Sequence, residues 1–145
     1  MKRRIICSIS LILVFVFLFS SVSFAAETSS LYIAATNAYI TRSGDDVNVY
    51  FYIVGCDIHM DKIGATKIFL YEQNGTTWSR VITFDSDDSQ YSSAMIATNT
   101  YTISSHVTYT EGSASKNYYA IVRFYAEKDG GSDTIPQNTP TSYGS

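Results

Sequence analysis

Two cysteines, two histidines, two prolines and one tryptophan in 145 residues close off several kinds of chemistry before any motif is sought. Cys7 and Cys56 are too few for a disulfide framework or a thiolate metal cage. His59 and His106 stand 47 positions apart, without zinc-ligand spacing, and read as unrelated surface histidines. The eight glycines form no phosphate-cradling loop, and no G-x-S-x-G turn presents a nucleophile, so abundant serine by itself signals nothing. Glu72, Glu111 and Glu127 lie on or beside expected strands, with nothing to set two of them across a glycosidase cleft. The chain is therefore expected to be non-enzymatic and to need no cofactor. Beyond the first 25 residues a helical period is missing as well, which excludes a helix bundle.

The one long hydrophobic run stands at the start. Lys2, Arg3 and Arg4 precede an apolar stretch whose core is Leu11 to Phe19, followed by Ser20, Ser21 and Ser23, with Ser23 and Ala25 at the −3 and −1 positions of a cut. This is the layout of a secretory signal peptide over residues 1–25. The alternative is an uncleaved anchor, because Ile5 to Ala26 approaches the roughly 20 apolar residues that span a bilayer. The serines and the small residues at the exit favour cleavage. Removal takes 25 residues and three of the ten basic side chains but none of the 13 acidic ones, leaving 120 residues at net charge −6. Such a surface repels nucleic acid and anionic lipid and favours an uncharged or basic partner. Cys7 is misplaced for lipidation, and the polar C-terminal residues offer no anchor tail. The expectation is a secreted, extracellular protein with no membrane anchor once the leader is cut. Cys56 is then alone in an oxidising setting and is expected to be a buried small hydrophobe.

Residues 26–145 read as a single all-β domain, without repeats or a linker. Val47, Val49, Phe51 and Ile53 alternate with Asn48, Tyr50, Tyr52 and Val54, and Ile68 and Leu70 alternate with Phe69 and Tyr71. Asn74-Gly75 supplies a tight hairpin, after which Trp78, Arg80, Ile82 and Phe84 share one face of the next strand. Further strands are expected over Leu31 to Thr41, Asn99 to Thr110 and Tyr118 to Glu127. Gly130-Gly131 marks the last turn, and a weak strand lies between Ser132 and Tyr143 in a loosely ordered C-terminal end, where Pro136 and Pro140 confine it to a sheet edge. About seven such strands fit an immunoglobulin-like or fibronectin type III-like antiparallel sandwich. About 120 residues bury enough surface to stand without metals or disulfides.

Asp85, Asp87 and Asp88 lie in an expected solvated loop, Asp85 to Ala94. An EF-hand register from Asp85 fails, with Gln90 in place of the turn glycine and Ile96 in place of the bidentate glutamate. An irregular cation site would need Asp57 or Asp61 from another loop, so no metal site is assigned. The remaining feature is aromatic. With Tyr118, Ala120, Val122, Phe124 and Ala126 inward, Tyr119, Ile121, Arg123 and Tyr125 point outward. Should this strand neighbour the one carrying Phe69 and Tyr71, the rings of Phe69, Tyr71, Tyr119 and Tyr125 form one platform able to take a protein or a glycan at the cell surface. Tyrosine on exposed strand faces also arises from cross-strand pairing alone.

The stretches MDKIGATKIFLYEQNGTTWSRVITF (Met60 to Phe84) and KNYYAIVRFYAEKDGGSD (Lys116 to Asp133), with the leader and the segment Ala38-Tyr39-Ile40-Thr41, resemble a family of small secreted proteins of unknown function from Gram-positive, clostridia-like bacteria. The run from Tyr118 through Ala126 to Gly131 is also similar to the penultimate strand and following turn of fibronectin type III domains, with Tyr118 or Tyr119 as the corner tyrosine. The resemblance implies a fold and an extracellular address, and transfers no site residue.

Overall fold

The computed structural model describes residues 30–144, and the expected leader lies outside the described residues. Among the described residues the elements are β1 (Ile33–Ser43), β2 (Asp46–Gly55), β3 (Lys62–Asn74), β4 (Thr77–Asp85), the helical turn α1 (Ser92–Met95), β5 (Ile96–Ala97), β6 (Thr102–Tyr109), β7 (Tyr118–Lys128) and β8 (Gly131–Asn138). They form two antiparallel sheets, β1-β2-β6 and β4-β3-β7-β8, with β5 paired to the start of β3. The chain is an all-β sandwich, as its alternation predicts. The strands number eight rather than seven because the two-residue β5 adds to the expected set, and the segment expected as a plain loop, Asp85 to Ala94, ends β4 and enters α1.

Period-two burial makes the layers. β2 buries Val47, Val49, Phe51 and Ile53, and β7 buries Tyr118, Ala120, Val122, Phe124 and Ala126. Phe51 and Phe124 meet edge-on across the sandwich, 6.4 Å between centroids. Burial of each large apolar side chain contributes about 1.5–3 kcal/mol, and this shared core holds the sheets together.

Two bulges break the alternation in β3 and β4. In β3, Ala65 pairs with Phe124 but Lys67 with Arg123, so Thr66 is the extra residue. In β4, Leu70 pairs with Ile82 but Tyr71 with Arg80, so Val81 is extra. One inserted residue inverts the pleat. Phe84 and Ile82 therefore pack on the core, whereas Arg80 and Trp78, expected on that same face, stand outside beside Tyr71.

Turns and caps set the remaining geometry. Asn74 pairs with Thr77, so the hairpin turn is Gly75-Thr76 with φ +62° at Gly75 alone, a type II′ pattern in place of the expected Asn74-Gly75. The last turn likewise shifts by one residue, to Asp129 (φ +51°) and Gly130 (φ +81°). Tyr118 anchors the start of β7: its hydroxyl accepts from Ser113 N at 2.9 Å and donates to Glu72 Oε2 at 2.7 Å. Burial, followed by this bond to a carboxylate, pushes its phenol up to about 12. Beside it, the Arg42 guanidinium donates to the carbonyls of Ser113, Lys116 and Tyr143, tying the C-terminal segment to the β6–β7 loop. At the other end Asp133 Oδ2 accepts from Ser30 Oγ (2.6 Å) and Leu31 N (2.8 Å). Cys56 corrects the expectation of a buried thiol: it follows the end of β2 in an exposed turn, past the last inward position, Gly55.

Candidate functional site

Opposed residues of an antiparallel pair project from the same face. The pairs Tyr71↔Tyr119, Phe69↔Ile121 and Lys67↔Arg123 thus line the outer face of the larger sheet, joined by Arg80 and Trp78 from the bulged edge strand. Tyr71 and Tyr119 stack with centroids 4.8 Å apart and planes 3° from parallel, and Trp78 meets Tyr119 edge-on at 4.8 Å. Partial burial raises the Tyr119 phenol, with a smaller push from Tyr71. Phe69 carries two guanidinium groups, Arg80 at 5.5 Å and Arg123 at 5.1 Å from its centroid.

Neither guanidinium is paired with a carboxylate among the described residues. Asp85, opposite Lys67 on this face, is held by Lys67 Nζ at 2.6 Å, a contact that lowers its carboxyl below the usual range. Each cation–π contact contributes about 0.5–1 kcal/mol at an exposed site and the stacked rings about 0.5–1.5 kcal/mol. The cluster therefore fastens β4 to the sheet while leaving two positive charges free on its surface.

Of the four expected platform rings, the structure brings Phe69, Tyr71 and Tyr119 together and leaves Tyr125 apart. Tyr125 lies six residues along β7 from Tyr119, roughly 20 Å at the rise of a strand, opposite Gly64. Its hydroxyl donates to Glu127 Oε2 at 2.7 Å, which, ahead of burial, raises its phenol. Its ring borders a separate cavity of about 460 Å³ between the sheet and the β4–α1 segment.

The outer face of the smaller sheet holds a second aromatic group that sequence reasoning missed. Tyr39, Tyr50 and His106 are cross-strand neighbours and stack in a row, with centroids 5.1 and 4.8 Å apart. His106 is thus part of a ring stack and not an unrelated surface histidine, whereas His59 is exposed in the loop after β2. Alternation marks Tyr50 as outward but holds nothing to face Tyr39 or to pair β2 with β6.

The loop carboxylates serve their own turns. Asp57 Oδ1 accepts from His59 N, Asp85 Oδ1 from Asp87 N, Asp88 Oδ1 from Gln90 N, and Asp61 Oδ2 from Asp129 N across to the last hairpin. Among the described residues no three His, Cys, Asp or Glu side chains gather as a metal ion requires. No family model, no curated protein and no solved structure matches this chain.

Proposed function

We propose that the chain is a secreted, non-enzymatic interaction module that docks a protein on the outer face of its larger sheet, through Phe69, Tyr71, Trp78, Arg80, Tyr119 and Arg123. One observation carries this reading: two guanidinium groups without carboxylate partners lie on Phe69, beside a Tyr–Tyr–Trp cluster. Trp, Tyr and Arg dominate the energetics of protein interfaces. The leader supports export, and the resemblance to small secreted proteins of clostridia-like bacteria supports a partner at the bacterial cell surface. The strand order β1-β2-β6 against β4-β3-β7-β8, with a tyrosine corner at the start of β7, supports an immunoglobulin-like sandwich of the fibronectin type III kind.

Local charge revises the expected partner. Net charge alone favours an uncharged or basic one, but on the face itself the free charges are Arg80 and Arg123, so the partner presents carboxylates. A glycan on this face is served less well. Sugars stack on open ring faces, whereas Tyr71 and Tyr119 turn one face to each other and Phe69 carries the guanidiniums. The test is capture from a cell-surface extract by wild type and by the Arg80→Glu, Arg123→Glu double variant, with captured proteins identified by mass spectrometry. An acidic protein held by wild type and lost from the variant is expected. Equal capture by both would remove this face from the reading.

A further inference from the structure

The cavity beside Tyr125 lies at the far end of the same sheet face, beyond Arg123 and away from the Phe69, Tyr71 and Tyr119 cluster, and has its own chemistry. Bulging at Thr66 leaves β3 without a strand partner on one side between β5 and β4, and the chain from Ser86 to α1 arches over that gap, with Ser86 N donating to Thr66 O at 3.0 Å. Gly64, opposite Tyr125, makes room for the close approach: a Cβ there would lie 2.0 Å from Met95 O. No side chain from that position therefore covers the Tyr125 ring. The cavity is further lined by Thr66, Ser86, Ser92 and Ser93, by the apolar Ile96, and by Lys62 and Asp87 as one positive and one negative residue.

We propose that this cavity binds one ring of a neutral saccharide. Its volume of about 460 Å³ falls within the roughly 300–1,000 Å³ of small-ligand sites. An aromatic wall suits the apolar face of a sugar ring, and hydroxyls that both donate and accept suit its rim. The hydroxyls of Ser86, Ser92 and Ser93 make no hydrogen bond among the described residues, so they are free to meet a ligand. One ammonium and one carboxylate balance each other, which disfavours a phosphate or a sugar acid. The bond from the Tyr125 hydroxyl to Glu127 fixes the ring before any ligand arrives.

Saturation-transfer NMR on the exported protein tests this, with glucose, galactose, mannose and N-acetylglucosamine and their disaccharides as probes and inorganic phosphate as competitor. Transfer to at least one neutral sugar is expected, with affinity at least tenfold weaker in Tyr125→Ala and unchanged in Tyr71→Ala. Ser93→Trp, which fills the mouth from an exposed position, should abolish transfer without unfolding the chain, so a destabilised Tyr125→Ala does not leave the question open. No transfer to any neutral sugar, displacement by phosphate, transfer unaffected by Ser93→Trp, or transfer lost in Tyr71→Ala would each overturn the assignment. None of these outcomes depends on protein capture by the Tyr71, Tyr119 and Arg80 end of the sheet.

Discussion

Tyr118 and Tyr119 are adjacent, chemically identical and put to opposite uses. Tyr118 is buried and bonds Ser113 N and Glu72, while Tyr119 stacks outside on Tyr71. Tyr118→Phe removes both bonds and leaves Glu72 with only its longer contact to Lys116, 3.7 Å. A cost of about 1–3 kcal/mol is expected from urea unfolding. The phenol also sets an alkaline limit. Its value is raised to about 12 in the folded chain from the ordinary 10.0, so its contribution is whole below pH 10 and is lost as pH rises towards 12. The lost amount is roughly 2–3 kcal/mol at two units. Wild type should therefore lose stability over that window, and Tyr118→Phe should lose less. Alternation places Tyr118 inward, but that its hydroxyl, not that of Tyr119, meets Ser113 N has no sign in the sequence.

At the scale of elements, regular alternation was legible and its interruptions were not. β2 and β7 follow their apolar period from end to end, and the faces read from them stand. The bulges at Thr66 and Val81 carry no glycine or other marker, so the outward positions of Trp78 and Arg80, two of the six residues of the site, have no sign in the sequence. Tyr125 reads as part of the platform for a related reason: period two gives the face of a strand but not the distance along it. The arch made by α1 and β5 depends on Gly64. Gly64→Ala drives a methyl into Met95 O, and a shift of this backbone is expected to cost about 1–3 kcal/mol. The measurement is the thermal midpoint together with NMR shifts of Ile96 and Ala97, which should move while those of β1 and β2 stay in place. Val122→Asp, at a fully buried position in the same sheet, places an unpaired charge in the core and should prevent accumulation of folded protein.

The whole molecule joins an acidic chain to a sheet face with two free guanidiniums. The ends of the described segment are tied down by polar contacts, Asp133 to residues 30–32 and Arg42 to Tyr143. Hydrogen bonds from Ser30 lower the Asp133 carboxyl, and Lys67 lowers that of Asp85. Both groups then stabilise the fold above the ordinary carboxylate value of 3.8, and that contribution is lost as pH falls through their lowered values. The thermal midpoint should drop on acidification below about pH 4, and less so in Asp133→Asn. Association through Arg80 and Arg123 should weaken with added salt, chiefly through slower binding. The most direct measurement is site-specific photo-crosslinking on intact cells. A benzophenone side chain would replace Ile121, at the centre of the proposed docking face, or Tyr52, exposed on the opposite sheet. A protein adduct at position 121 and none at 52 is expected; an adduct at 52 with none at 121 would contradict the assignment of the larger sheet as the interaction face.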